Sequence, residues 1–183
     1  MTRFTSKVNI DLPLLGIDLG YSAKSKSCGL ASSLTNKVFE FSFGACVDEV
    51  ITHFNQAGPH ILIVEAVLST FHLPNGNPSI RGEFEKGRGW YHGPGVTTYA
   101  AAIRFLQQLD QKLPSDLGSI PIVEGFLSYK PERTTHSEDA YRLVNEFHIA
   151  EAFEPALSSE PILNIIDRSP KILRYNKPHG ASE

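Results

Sequence analysis

Residues 14–20 read Leu-Leu-Gly-Ile-Asp-Leu-Gly, a short apolar run that ends in an acid and a glycine. Short apolar runs that stop at a glycine are typical of buried strands. An aspartate inside such a run is unusual, because burying an unpaired carboxylate costs several kcal/mol. The pattern therefore predicts a buried strand and requires Asp18 to have a partner from elsewhere in the chain.

A second acid interrupts another apolar run, from Ile61 to Val67. Glu65 lies inside this predicted strand as Asp18 lies inside the first. Two buried acids in two strands indicate a shared partner, and a divalent cation held by both carboxylates would serve. The alternative is that each acid accepts hydrogen bonds from a neighbouring loop or pairs with an arginine.

A helical pattern over 136–153 begins with a histidine and three polar residues. His136 and Asp139 are three residues apart, so both project from one face of the helix. A helix start capped by Thr135 or Ser137, with acids near its positive end, accounts for Glu138 but less well for the His136–Asp139 pair.

The remaining elements follow from periodicity and from turn residues. Strands are predicted over 28–33, 37–43 and 120–127, helices over 45–57 and 96–112, and a long loop over 68–95. Three successive strands joined by short turns favour an antiparallel meander. A meander followed by alternating helices and strands predicts a mixed sheet covered by helices.

Three motifs occur in order along the chain: Gly16-Ile17-Asp18-Leu19-Gly20, Val64-Glu65-Ala66 and His136-Ser137-Glu138-Asp139-Ala140. Together they resemble the ribonuclease H-like superfamily and, within it, the Holliday-junction resolvases of the RuvC type. The resemblance implies a ribonuclease H-like α/β fold with a mixed five-stranded sheet flanked by helices. Strands 1–3 would form the antiparallel meander, and strands 4 and 5 would run parallel to strand 1.

The chain is also similar to an uncharacterised family of predicted ribonuclease H-like nucleases. That resemblance rests on Arg81, on Trp90-Tyr91 and on Ile122-Val123-Glu124-Gly125-Phe126, and it spans roughly residues 14–150. The stretch between Asp18 and Glu65 is short, and loop 68–95 does not look like a resolvase segment. Junction specificity is therefore not carried over to this chain.

The resemblance implies a metal-dependent nuclease that hydrolyses phosphodiester bonds in nucleic acid with two Mg²⁺ or Mn²⁺ ions. Asp18, Glu65, His136 and Asp139 would be the catalytic residues, and the three carboxylates would bind the metal. His136 would bind the second ion or move protons. Glu124 would be an outer ligand or would pair with a basic side chain.

Basic and aromatic residues alternate in loop 68–95, among them Arg81, Arg88, Trp90 and Tyr91. Such a mixture can contact phosphates and stack on bases, so these four residues are candidate substrate contacts. The alternative is a lid in which Trp90 packs on the domain. The basic residues near the C-terminus would contact phosphates or belong to a solvated tail.

The chain has 183 residues, which suits one domain able to bury its own core. The pattern predicts a lead-in over 1–13, the ribonuclease H-like domain over 14–155, and a C-terminal extension with a basic tail over 156–183. The N-terminus has no signal-peptide pattern, and no apolar run approaches the ~18 residues of a membrane helix. These features predict a cytoplasmic protein with no membrane partner.

Charge and cysteine content are ordinary. A formal net charge of −3 argues against a protein that coats nucleic acid by charge alone. Cys28 and Cys46 are far apart in sequence, so they form neither a zinc-ligand pair nor a disulfide framework. Reduced thiols that fill the core are the simpler interpretation.

Two further hypotheses belong to other functional classes. One is a nucleotide-binding or phosphotransfer protein of the actin-like type, which also opens with a "GIDLG" strand and a turn that meets phosphate. The other is a catalytically silent ribonuclease H-like scaffold, since fold does not settle function. The sequence leaves open whether the substrate is DNA, RNA or a small phosphodiester, and whether the protein is a monomer or a homodimer.

Overall fold

The computed structural model describes residues 11–22, 25–66, 75, 94–114, 117, 120–125, 133–149 and 172–175. Its elements within these ranges are β1 (Leu14–Asp18), β2 (Cys28–Ser32), β3 (Thr35–Phe41), α1 (Phe43–Ala57), β4 (Ile61–Glu65), α2 (Pro94–Lys112), β5 (Ile120–Gly125), α3 (His136–Ile149) and β6 (Ile172–Tyr175). The predicted order of strands and helices through α3 is confirmed.

The strands form one mixed sheet in the order β3-β2-β1-β4-β5-β6. β1, β2 and β3 are antiparallel neighbours, as the meander predicts. β4 pairs parallel with β1, and β5 pairs parallel with β4. The chain is therefore an α/β protein whose mixed sheet has helices on both faces.

The five predicted strands are present, and a sixth strand, β6, extends the sheet beside β5. β6 pairs parallel with β5, with Ile120 opposite Ile172 and Val123 opposite Tyr175. The basic residues around this segment favour a solvated tail in the sequence pattern. Strand pairing uses backbone N–H and C=O groups, however, so a charged side chain such as Arg174 does not prevent it at a sheet edge.

Helices on the two faces of the sheet bury two separate apolar clusters. α1 and α2 pack on one face, where Val47, Val50, Phe54, Phe105 and Leu109 are almost fully buried. α3 packs on the opposite face against β1, β2 and β4, and buries Ala140, Leu143 and Val144. Side chains alternate between faces along a strand, so every second residue of β1 and β4 faces α3.

Several element boundaries differ from the predicted ones, and the starts of two helices are examples. β3 ends at Phe41 and α1 begins at Phe43, whose ring packs edge-on against Phe105 of α2 at 6.2 Å. α2 begins at Pro94, since proline lacks an N–H and its fixed φ suits the first helical position. Among the described residues, no helix combines the length and the apolar character needed to cross a bilayer.

The two cysteines are neighbours in space although 18 positions separate them in sequence. Both are fully buried free thiols in the cluster under α1 and α2. Cys28 Sγ donates a hydrogen bond to the backbone oxygen of Gly20 at 3.2 Å. A hydrogen bond with Cys28 and burial together raise the pKa of the Cys46 thiol. Both cysteines act as small core residues, as the sequence indicates.

The turn between α1 and β4 buries a neutral histidine. Gly58 ends α1 with φ at 77°, and its N–H donates to the Phe54 oxygen at 3.0 Å. His60 is 0% exposed and its Nδ1 donates to the Gly58 oxygen at 2.8 Å. Its Nε2 is buried and has no hydrogen-bond partner among the described residues. Burial therefore lowers the pKa of His60, because protonation would place a positive charge at an unsatisfied buried nitrogen.

We expect His60 to make the protein less stable in mild acid. Its pKa is lower in the folded than in the unfolded chain, so the unfolded chain binds more protons as the pH falls below about 6.5. The contribution of neutral His60 to the free energy of unfolding is complete above that pH. It is lost as the pH falls towards the lower pKa of His60 in the folded chain. Urea unfolding of wild type and His60→Phe between pH 7.5 and 5 measures this, and parallel pH slopes in the two proteins would contradict it.

Candidate metal centre

Two acids lie side by side where two parallel strands end. Asp18 is the last residue of β1, Glu65 is the last residue of β4, and the two are in register. Neighbouring strands lie about 4.8 Å apart, so in-register side chains on one face are adjacent. Both acids follow the alternation of Leu14 and Ile63 and therefore face α3. Asp18 is 9% exposed and Glu65 is 7% exposed.

The first turn of α3 adds a third carboxylate to this pair. Asp139 is 6% exposed, and one oxygen from each of Asp18, Glu65 and Asp139 lies within 4.8 Å of the other two. Three buried carboxylates so close together repel one another strongly when ionised. Carboxylate oxygens are also the donors that Mg²⁺ and similar hard cations prefer. The donor set fits a divalent cation, which would convert this repulsion into attraction.

Glycines allow α3 to approach the sheet closely enough to form the cluster. Gly29 lies on β2 in register with Asp18, and an added Cβ there would meet the backbone oxygen of His136 at 1.8 Å. An added Cβ at Gly16 would meet the backbone oxygen of Ala140 at 2.3 Å. In both places the helix backbone lies directly on the strand. Gly16, the first residue of the first motif, therefore has a packing role that the sequence pattern alone did not reveal.

His136 contacts the cluster through Asp18. Its Nδ1 lies 2.6 Å from Oδ2 of Asp18, and since a carboxylate only accepts, the proton belongs to Nδ1. Burial alone would lower the pKa of His136. The hydrogen bond to Asp18 and the negative charges of Asp18 and Glu40 outweigh burial and raise it. The side chain is still 44% exposed, so the ring reaches the surface of the site.

Side chains at the start of α3 cap the helix and attach it to the sheet. The Thr135 hydroxyl accepts from the backbone N–H of Glu138 at 3.2 Å, while the Glu138 carboxylate accepts from the N–H of Thr135 at 2.7 Å. This reciprocal pair is a capping box, so of the two caps that the sequence allows, Thr135 is the one used. Ser137 instead donates from its hydroxyl to Glu40 of β3 at 3.3 Å.

Two residues that border the cluster were not predicted from the sequence. Thr134 donates from its hydroxyl to Oδ1 of Asp139 at 2.7 Å. Glu40 lies opposite Gly29 in the sheet, on the side away from Asp18. A threonine directly before a helix cap was the available signal for Thr134. No local signal distinguishes Glu40, because its position depends on how β2 and β3 pair.

Glu124 is not in register with Glu65. The β5 residue opposite Glu65 is Gly125, whereas Glu124 lies opposite Val64. The residue of β5 in register with Glu65 is therefore a glycine and not an acid.

The structure brings four of the predicted site residues together: Asp18, Glu65, His136 and Asp139. The four predicted substrate contacts, Arg81, Arg88, Trp90 and Tyr91, lie outside the described residues. The cluster can hold a hard cation, and His136 can hold a proton beside it. Comparisons of the chain with protein-family models, with curated proteins and with solved structures found no match.

Proposed function

We propose that this protein is a metal-dependent nuclease with a ribonuclease H-like fold. The observation that carries the proposal is the buried cluster of Asp18, Glu65 and Asp139, whose oxygens lie within 4.8 Å of one another. The first two acids end neighbouring parallel strands, and the third lies in the first turn of the final described helix. The strand order β3-β2-β1-β4-β5 and these positions agree with what the family resemblance implies.

The three carboxylates would hold Mg²⁺ or Mn²⁺ through oxygen ligands. Two such ions, when bound, supply an activated water and stabilise the leaving oxygen of a phosphodiester. The chain's contribution is to keep the carboxylates buried and close together before the substrate arrives. Asp18 and Glu65 are held by the paired backbones of β1 and β4, and Asp139 is held by the capped start of α3.

His136 would hold and move a proton at the edge of the site. Its Nδ1 is oriented by Asp18, which leaves Nε2 as the nitrogen for exchange with water or substrate. When protonated, the ring could donate this proton to a leaving oxygen from Nε2.

Nucleic acid is the proposed substrate because the sequence carries basic and aromatic residues between β4, which ends at Glu65, and α2. Ligands of parallel α/β sheets bind beyond the carboxyl ends of the strands, and β1 and β4 end here at Asp18 and Glu65. The chain leaves β4 into the segment that contains Arg81, Arg88, Trp90 and Tyr91. We assign their guanidinium groups to phosphates and their rings to bases.

Asp18→Asn tests the proposal. We expect wild type to bind Mn²⁺ in a calorimetric titration and to cleave at least one of five substrates: single-stranded DNA, duplex DNA, RNA, an RNA–DNA hybrid or a four-way junction. EDTA should abolish cleavage. The substitution should reduce metal affinity and cleavage by at least about 100-fold, because even outer partners of ligands contribute 10–100-fold.

Three results would contradict the nuclease proposal. Cleavage that survives EDTA or the Asp18→Asn substitution would not come from this site. Absence of Mn²⁺ binding by wild type would remove its basis. Mn²⁺ binding without cleavage of any of the five substrates would favour the silent-scaffold hypothesis.

The alternative of an actin-like phosphate site has less support, because the described residues on the two sides of the turn after β1 contact one another. An added Cβ at Gly20 would meet the backbone oxygen of Ser27 at 1.9 Å. The Ser22 N–H donates to the Ser27 hydroxyl at 3.2 Å, and Cys28 donates to the Gly20 oxygen. A phosphate-binding turn needs backbone N–H groups directed at the ligand.

A further inference from the structure

Two consecutive threonines precede α3, and they have different partners. Thr135 belongs to the capping box, where its hydroxyl accepts from the N–H of Glu138. Thr134 lies one residue further from the helix, and its hydroxyl donates to Oδ1 of Asp139 at 2.7 Å. The first bond completes the helix end, whereas the second reaches a carboxylate of the acidic cluster.

The Thr134 hydrogen bond is not needed to satisfy the helix backbone. The Asp139 N–H already donates to the Thr135 oxygen at 3.1 Å, as expected in a first helical turn. The bond of the Thr134 hydroxyl therefore holds the side chain of Asp139 and not the helix backbone. A carboxylate rotates broadly about its last bond unless its oxygens are held, so this contact selects one orientation of the Asp139 carboxylate.

We propose that Thr134 is a positioning residue that orients Asp139 as a metal ligand. The proposal rests on the metal site of the proposed function. Hydrogen bonds to ligating carboxylates fix their orientation, and loss of such a partner typically reduces metal affinity by about 10–100-fold. Asp18 has the corresponding partner in His136, at 2.6 Å. The segment Thr134–His136 thus holds one carboxylate oxygen of each aspartate.

Thr134→Val tests this assignment, since valine keeps the shape of the side chain and removes the hydroxyl. Thr134→Ser restores the hydroxyl, and Thr135→Val is the matched control that weakens the helix cap and keeps the hydrogen bond from Thr134 to the Asp139 carboxylate. The measurements on the full-length chain are Mn²⁺ affinity by calorimetry and the thermal midpoint in EDTA. We expect Mn²⁺ affinity to fall about 10-fold or more in Thr134→Val and to return to within about twofold of wild type in Thr134→Ser.

The control separates orientation of the ligand from stability of the helix. Thr135→Val should lower the thermal midpoint through the lost cap while its Mn²⁺ affinity stays within about threefold of wild type. Equal losses of affinity in Thr134→Val and Thr135→Val would overturn the positioning role, because a frayed helix would then explain both.

The same titrations distinguish failure of this inference from failure of the metal site. If wild type binds Mn²⁺, Asp18→Asn does not, and Thr134→Val binds as wild type does, the positioning role is wrong and the metal site stands. If wild type binds no Mn²⁺, the metal site is wrong and the role of Thr134 with it.

Discussion

Glu65→Gln is expected to make the metal-free protein more stable and to abolish its response to metal. The Glu65 carboxyl lies beside two other buried carboxyls, with oxygens no more than 4.8 Å apart, so the three repel one another whenever they are ionised. Two unit charges about 4 Å apart repel by roughly 4 kcal/mol at an effective dielectric constant of 20. Local hydrogen bonds offset part of this repulsion, so we expect glutamine to raise the free energy of unfolding by roughly 1–3 kcal/mol in EDTA.

Mn²⁺ should reverse the order of the two proteins. A cation at 1,000 times its dissociation constant stabilises the form that binds it by about 4.1 kcal/mol, which exceeds the advantage of glutamine, and Glu65→Gln would lose most of that gain with a ligand oxygen replaced. Urea unfolding at neutral pH, in EDTA and in saturating Mn²⁺, measures both effects. Wild type should be the less stable protein in EDTA and the more stable one in Mn²⁺.

Glu49→Gln is the control for this reversal in the relative stability of wild type and Glu65→Gln. Glu49→Gln is the same substitution at a position on α1, where the Glu49 side chain is 35% exposed and lies beside His53. Its substitution should change the free energy of unfolding by no more than about 0.5 kcal/mol under either condition. A Glu65→Gln protein that is less stable than wild type in EDTA would contradict this prediction. It would indicate that the Glu65 carboxylate forms a stabilising ion pair and is not a metal ligand repelled by its neighbours.

Gly29→Ala should have the largest effect on the fold. The added methyl group would lie 1.8 Å from the backbone oxygen of His136 and 2.9 Å from the backbone nitrogen of Ser137. Neither atom can rotate away, so the start of α3 must move as a unit. Overpacking usually costs about 1–3 kcal/mol, and we expect about 3 kcal/mol or more because the contact is with backbone. The displacement should also break the bond between His136 and Asp18 and weaken Mn²⁺ binding.

Two other glycines provide a graded comparison. At Gly125 the added Cβ would meet the end of the Leu143 side chain at 2.4 Å, which can rotate, so Gly125→Ala should cost less. At Gly44 in α1 nothing lies within 4 Å, and alanine there should stabilise by up to about 1 kcal/mol. Chemical denaturation should give the lowest free energy of unfolding for Gly29→Ala, a higher one for Gly125→Ala and the highest for Gly44→Ala. Gly29→Ala as stable as wild type would contradict the close contact of α3 with the sheet.

Much of the fold could be predicted because short-range sequence patterns indicate most of its strands and helices. The apolar run around Asp18 and the run around Glu65 each indicate a buried strand without any knowledge of neighbours. Helical spacing identified α1, α2 and α3, and Gly58 marked the end of α1. β6 was missed because a four-residue strand at a sheet edge has no distinctive pattern, and its pairing depends on the presence of β5.

The candidate site was predicted as a set of residues but not as a geometry. The apolar context of Asp18 and Glu65 and the spacing of His136 and Asp139 singled out these residues, and the family resemblance joined them into one predicted site. Their contacts depend on strand register, since a shift of one residue would turn Glu65 to the other face of the sheet. These contacts also depend on Gly16 and Gly29, where the absence of a side chain allows the backbone of α3 to pack directly on the sheet. The hydrogen bonds of Thr134 to Asp139 and of His136 to Asp18, the latter across 118 residues, follow from that packing. Local patterns therefore identified the elements and the acids, whereas register and close helix packing, which join distant parts of the chain, created the site.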